Sequence, residues 1–346
     1  MRLDRTGLIE AVREGVLDEA QAERLWTFLS RRQAATPGFH FTHILYYLGG
    51  LVAIGAMSLF MTLGWERFGG WGLLGIAAAY SVAGLLLANH FLKRELPIPA
   101  GIVATFVVAL TPLGVYGLQA ALGWWPAIED VAYREYHTRI DWRWMFMELA
   151  TLASGALLLW RYRLPFLVMP IAVTLWYISM DLTPFLFGGS YEDVWAMRAT
   201  VSMWVGLTMI LLAFVVDLRT RGPHDYPFWL YLFGVLTFWG GLTAQHSDSE
   251  LARFGYLLLN LLLIGIGAAL SRRVFAVFGG LGTAFYLGHL AYTVFRDSLL
   301  FPFALTAIGL AVIYAGILWQ KHEARLSAAL RSLLPPLVRE LVERRG

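Results

Sequence analysis

The sequence predicts an all-α, polytopic transmembrane bundle of ten spans with both termini in the cytoplasm. Three observations lead there. Of 346 residues, 58% are hydrophobic and only 15% are charged, whereas a soluble globular chain carries roughly 25% charged residues to coat its surface. A hydrocarbon layer about 30 Å thick asks for about 20 apolar residues per helix, and ten nearly uncharged runs of about that length occur, giving a mean hydropathy of +0.60. Finally, the basic residues alternate from one connection to the next, as they must when Lys and Arg near span ends resist translocation.

The ten runs lie near residues 43–64, 69–91, 97–122, 144–160, 164–187, 197–217, 226–245, 251–270, 274–295 and 299–320. With the N-terminus inside, the cytoplasmic pieces carry Arg31 and Arg32, Lys93 and Arg94, Arg161 and Arg163, Arg219 and Arg221, Arg272 and Arg273, and the C-terminal tail. Together they hold 20 of the 27 cations. The outer side keeps Arg67, Arg134, Arg139, Arg143, Arg198, Arg253 and Arg296 among a larger number of carboxylates. Every loop then obeys the positive-inside rule. Tyr46, Tyr47, Trp65, Trp71, Trp124, Trp125, Trp142, Trp144, Trp160, Trp195 and Trp229 fall near span ends, where amphipathic rings prefer the headgroup layer. Trp176, Trp204 and Trp239 fall deeper and are expected to pack inside the bundle, lining of a ligand pocket being the alternative.

Around this membrane domain, residues 41–320, the sequence places a cytoplasmic helical hairpin at 1–40 and an amphipathic tail helix at 321–346. In the hairpin, Leu8, Ile9 and Val12 form one apolar stripe, Gly15 ends that helix, and Asp18 caps a second containing Ala22, Leu25 and Leu29. Two helices this short cannot hold a core alone, so their apolar face is expected to meet the membrane domain, a second copy or a protein partner. The tail repeats Leu326, Leu330, Leu333, Leu334, Leu337 and Leu341 at helical spacing, breaks at Pro335-Pro336 and carries five arginines, a pattern suited to the anionic inner leaflet. Residues 1–40 hold Asp4, Glu10, Glu14, Asp18, Glu19 and Glu23 and no apolar run, so no cleavable signal peptide is expected there.

Several function classes are disfavoured by composition. The net charge is +3 and the cations are spread along the chain, which speaks against nucleic-acid binding. Absence of cysteine excludes thiolate catalysis, iron–sulfur clusters and Cys-type zinc sites. There is no phosphate-binding Gly-Lys-Ser/Thr loop, no His-Glu-x-x-His and no Gly-x-Ser-x-Gly string. An enzyme is therefore the less favoured reading, and no cofactor or metal is expected. The outer loop 123–143 brings His137 near Glu135 and Asp141, but one His with two carboxylates is a poor metal set; His246 with Asp248 and Glu250 is no better.

Some strings are not generic. The N-terminal hairpin, Leu45-Tyr46-Tyr47-Leu48-Gly49-Gly50, Pro112-Leu113-Gly114-Val115-Tyr116-Gly117-Leu118-Gln119, Trp176-Tyr177-Ile178-Ser179-Met180-Asp181-Leu182-Thr183-Pro184 and Asp297-Ser298-Leu299-Leu300-Phe301-Pro302-Phe303 together resemble a family of bacterial predicted polytopic membrane proteins of unknown function. The resemblance implies a multi-pass protein of the bacterial inner membrane. It brings no activity and no site residue. An internal similarity is also present: the hairpins around Arg161–Arg163 and Arg272–Arg273 run in the same direction, which favours tandem duplication over an inverted repeat.

Ionised groups within a span cost at least ~2.5–3.5 kcal/mol, so each needs a reason. Glu148 and Asp181 lie one or two turns below the outer surface of the fourth and fifth spans. Gln119, Arg198, Gln245, Arg253 and His289 fall at comparable depth on the third, sixth, seventh, eighth and ninth. We expect these seven groups to outline an outward-facing polar vestibule that binds or transports a small polar or amphipathic solute, with Glu148, Asp181 and His289 as proton or cation couplers. Pairing and snorkelling near helix ends is the competing account. Pro112, with Thr111 and Gly114 beside it, is expected to kink or break the third span. Asn260 reads as an interhelical hydrogen-bonder, and the runs Gly49-Gly50-Gly55 and Gly279-Gly280-Gly282 as sites of close helix approach. The alternative function is a non-enzymatic assembly or sensory subunit that binds partner proteins through its soluble ends and outer loop.

Overall fold

The computed structural model describes residue 8 and residues 11–34, 41–64, 68–125, 142–187, 191–220, 225–245 and 249–295, with helical positions scattered over 302–314; all that follows refers to these residues. Most of the outer loop (126–141), most of the tenth predicted span and the tail helix lie outside them.

All regular structure among the described residues is helical. After a short helical stretch at 11–13 come α1 (Glu19–Ala34), α2 (Phe41–Gly64), α3 (Gly69–Lys93), α4 (Pro97–Ala109), α5 (Thr111–Ala121), α6 (Trp142–Tyr162), α7 (Val168–Phe187), α8 (Tyr191–Arg219), α9 (Pro227–Ala244), α10 (Glu250–Leu270) and α11 (Arg273–Phe295). A single 3-10 turn, Pro165–Leu167, precedes α7. Five segments are long and apolar enough to cross a membrane: Gly69–Lys93, Pro97–Ala121, Trp195–Arg219, Pro227–Ala244 and Leu251–Leu270. They expose side chains that water would reject, such as Leu86 at 66%, Leu211 at 57% and Leu251 at 80%. In a soluble protein such contiguous apolar faces are not left uncovered.

The turn at Gly15 and the cap at Asp18 are formed. Gly15 takes φ +72, and the amides of Val16 and Leu17 turn back to the carbonyl of Ala11, which closes the first helix. Asp18 Oδ1 then accepts from the Gln21 amide at 2.6 Å while Gln21 Oε1 accepts from the Asp18 amide at 3.1 Å. This reciprocal box satisfies two of the orphan donors at the start of α1.

The chain divides into two compact units, residues 1–171 with 221–226, and residues 172–220 with 227–346. In the first, α3 packs antiparallel on α4 and α5, and α6 packs on α5. The seam is made by absent side chains: a methyl on Gly70 would stand 2.3 Å from the Ala121 amide nitrogen, and one on Gly117 2.7 Å from that of Leu74. Leu73, Ala77, Leu110, Leu113, Tyr116 and Met147 form one core cluster; Ala88, Ala100, Ala104, Val108, Leu164 and Leu167 form another. At Pro112 the regular helical hydrogen bonding of the third predicted span is interrupted at a single residue, Leu110, which keeps a right-handed helical conformation. α4 ends at Ala109 and α5 begins at Thr111, because the proline ring supplies no N–H to residue 108. Beside the break, the Thr111 hydroxyl of α5 meets the Ser154 hydroxyl of α6 at 2.8 Å.

In the second unit, α8 and α9 form one tight antiparallel hairpin and α10 and α11 another. Methyls on Gly206 and Gly241 would stand 2.2 Å from the Phe238 amide nitrogen and 2.5 Å from the Ala199 carbonyl oxygen, and one on Gly279 2.5 Å from the Asn260 carbonyl oxygen. Gly282 likewise abuts Asn260. Gly49, Gly55 and Gly280 face open space instead, so only part of each glycine run serves helix approach. Trp239 packs inside as expected, against Phe278 and Phe285. Trp204 does not: it is 60% exposed, because α8 turns its glycine face toward α9 and this tryptophan elsewhere.

Three turns at the ends rich in basic residues share one construction. Glu95, Arg163 and Ser271 each take a left-handed conformation, φ 58, 53 and 55, and the following residue turns inward. That residue is Leu96, Leu164 or Arg272. The similarity noticed between the Arg161–Arg163 and Arg272–Arg273 hairpins thus recurs at a third turn, as a general way of closing a helix.

Candidate polar sites

In the first unit, Gln119 sits near the end of α5, 2% exposed, with both ends of its amide engaged. Its Nε2 donates to the Arg143 carbonyl at 3.2 Å, and its Oε1 accepts from Trp125 Nε1 at 3.1 Å. Arg143 donates to the Trp124 carbonyl at 2.8 Å and lays its guanidinium 4.7 Å from the Trp125 ring centroid. Trp125 also meets Tyr116 and Trp144 at 5.3 and 6.2 Å. Gln119 therefore ties α5 to α6 through an aromatic cap. Glu148 lies about 7 Å further along α6, five residues on at about 1.5 Å each. It is half-buried, with Oε2 shielded from solvent.

The other five candidates belong to the second unit. Antiparallel packing of α8 on α9, with Gly241 against Ala199 and Met203, sets Gln245 level with the turn that carries Arg198. Gln245 is exposed and its Nε2 reaches Met203 Sδ at 3.6 Å. Arg198 is half-buried, and its Nε is shielded from solvent with no hydrogen-bond partner among the described residues. In the second hairpin, Gly279 and Gly282 against Asn260 set His289 level with Arg253 by the same counting. Arg253 is half-buried and His289 exposed. Asp181, on α7, is half-buried. No group of three or more His, Asp or Glu able to hold a metal ion occurs among the described residues; His137 and His246 lie outside them.

Two polar arrangements in this unit extend the reading from sequence. Asn260, fully buried, does bond between helices: its Oδ1 accepts from Trp239 Nε1 of α9 at 3.1 Å, while its Nδ2 donates to the Tyr256 carbonyl at 2.8 Å. The other was missed. Asp217, near the end of α8 and 1% exposed, accepts from Arg272 Nη2 at 2.9 Å. The Arg272 guanidinium also lies 5.0 Å from the Tyr231 ring centroid of α9, and Tyr231 meets Phe275 edge-on at 5.4 Å. The signal available in sequence was a carboxylate inside a run otherwise free of acids, two residues short of Arg219.

These helices and their outward apolar faces define an α-helical membrane protein. Compared with known protein families, curated proteins and solved structures, the chain matches none.

Proposed function

We propose that this protein is a ten-span protein of a bacterial inner membrane, with both termini inside, that binds and moves a small polar or amphipathic solute through the polar layer at the outer end of its second unit. One observation carries the reading: Arg198 holds a guanidinium nitrogen out of solvent without a hydrogen-bond partner among the described residues, which is the condition in which a ligand oxygen is most strongly bound. Gln245, level with it, and Asp181, Arg253 and His289 supply further polar groups on other helices of the unit. Two arginines in the set favour a solute bearing a carboxylate or phosphate. Glu148 of the first unit remains a candidate proton coupler. The inner-membrane assignment rests on the sequence resemblance, and the ten-span topology on the distribution of cations.

The test is a thermal-shift screen of the protein in detergent against carboxylate-, phosphate- and ammonium-bearing solutes, followed by flux in proteoliposomes. A solute that raises the Tm of the wild type should lose that effect in Arg198→Ala, and Asp181→Asn should reduce flux more than binding. Hits bound and carried equally well by both variants would overturn the assignment. The assembly reading has one observation in its favour, the self-capped hairpin before α2 with Val16 70% exposed at its turn. Crosslinking from Leu25→Cys that recovers a second copy or a partner would favour it.

A further inference from the structure

Within the second unit the two hairpins are held together by unlike means. Inside each hairpin, backbone lies against backbone at glycines: Gly206, Gly234 and Gly241 between α8 and α9, and Gly267 and Gly279 between α10 and α11, where Gly282 also seats the Asn260 side chain. Such seams admit no change of separation without losing many contacts at once. Between the hairpins the approach is sparser, α9 lying against α11, and the polar and ring contacts across it are made by side chains. Trp239 reaches Asn260, Phe278 and Phe285, Tyr231 reaches Phe275, the Thr243 and Tyr256 hydroxyls meet at 3.0 Å, and Asp217 reaches Arg272. Rings can slide or part while each hairpin stays intact. Among these contacts the single ion pair stands at one extremity, the end where α8 finishes and α11 begins. Arg198 and Gln245 lie at the opposite end, about 28 Å away along α8 at about 1.5 Å per residue.

The ion pair is also not what this turn needs in order to form. The position after the left-handed residue holds Leu96 and Leu164 in the two comparable turns, and Leu164 fills it at 6% exposure. Arg272 occupies it at 7% exposure. A buried ion pair often stabilises no more than well-packed apolar side chains of the same volume, yet breaking it by removing one partner is severe. It is therefore poorly suited as packing and well suited to an all-or-none join.

We propose that Asp217 and Arg272 form an electrostatic latch that holds the α8–α9 and α10–α11 hairpins together at their basic end, so that its release lets the hairpins part there. The inference does not depend on any solute. Under the transport reading, the latch is the inner gate that faces the polar layer at the far end of the same unit.

The chain has no cysteine, so two labels can be placed without background. Val215→Cys on α8 and Val277→Cys on α11, 42% and 57% exposed, stand about one turn from the pair. Spin labels there, in lipid nanodiscs, report the hairpin separation by electron–electron distance. We expect one short, narrow distribution in the parent and a shift to longer distances, by more than the parent width, in Asp217→Asn. The exchanged pair Asp217→Arg with Arg272→Asp should return to the short distance. A folded Asp217→Asn protein, with helix content and Stokes radius of the parent and an unshifted distribution, overturns the latch. If Asp217→Asn does not fold, the exchanged pair decides: folded with a short distance supports the latch, and failure to fold makes the pair a folding requirement and overturns it. Because no solute is present, this outcome is separable from any failure of the transport reading.

Discussion

Trp239 donates its indole N–H to Asn260 Oδ1 at 3.1 Å, and the Asn260 side chain fits only because Gly282 opposite has none. A methyl on Gly282 would stand 1.9 Å from that same oxygen. Three helices, α9, α10 and α11, thus depend on one amide and one missing carbon. Gly282→Ala is expected to displace the Asn260 amide and break the bond to Trp239, and Asn260→Leu to leave the indole N–H unsatisfied. Interhelical hydrogen bonds in membranes are worth about 0.6–2 kcal/mol and overpacking costs about 1–3 kcal/mol. Gly282→Ala should therefore be the worse by about 1 kcal/mol, measured by reversible unfolding in mixed micelles. Equal stability of Gly282→Ala and the parent would show that the amide has another seat.

The α8–α9 seam carries its own control. Gly206 and Gly240 are both helical glycines, yet a methyl on Gly206 would meet the Phe238 amide nitrogen at 2.2 Å whereas one on Gly240 meets nothing within 4 Å. Backbone cannot yield as a side chain can. Gly206→Ala should destabilise by about 2 kcal/mol or more, while Gly240→Ala should be neutral or stabilise by up to about 1 kcal/mol, the helix-propensity gain of alanine. The comparison needs only the midpoint of unfolding of each variant under one condition.

Much of this architecture was legible before any coordinates, and the reason differs from residue to residue. The apolar runs reveal α3 or α10 because a helix in hydrocarbon satisfies its own backbone, so hydropathy alone marks it. Pro112, Gly15 and Asp18 act on their own backbone within a few residues, so their effects can be read locally. Gln119 could not be. It drew notice as a polar group inside a span, but the Arg143 carbonyl that satisfies it is 24 residues away. Trp204 was misplaced because hydropathy says that a span is buried in something, not whether that is protein or lipid. Asp217 and Arg272 are 55 residues apart; each alone looked like an ordinary charge at a span end, and only their pairing marks them out.

Arg143 is the centre of the first unit's aromatic cap. Its guanidinium stands 4.7 Å from the Trp125 centroid and 5.9 Å from that of Trp142, and it bonds the Trp124 carbonyl at 2.8 Å. Arg143→Ala removes two ring contacts and a charge-assisted hydrogen bond together, a loss of about 1–3 kcal/mol. Arg143→Lys keeps the charge but not the planar fork, and should recover less than half of that loss. Tryptophan emission reports the change directly: loosening of Trp124, Trp125 and Trp142 shifts it to the red in Arg143→Ala. An unchanged spectrum and midpoint would mean that the cap is held by Gln119 and the rings of Tyr116, Trp125 and Trp144 without the guanidinium.

Replacing Pro112 distinguishes a break that serves packing from one that serves passage. Pro112→Ala restores an N–H that residue 108 can accept from, at a point where Leu110 already donates back toward Phe106 and Val107 at 3.1 and 3.2 Å. In an otherwise helical setting that exchange favours a continuous α4–α5 helix, since proline costs about 3 kcal/mol in a helix interior. A straightened helix would pull Thr111 from Ser154, now 2.8 Å distant, so part of the gain is offset. We expect slower amide hydrogen exchange across residues 108–114 together with a net change in unfolding free energy of only about 1 kcal/mol. If the break serves solute passage, flux should fall in the same variant while Ser154→Ala leaves it intact. Slower exchange with full flux would assign the break to packing alone.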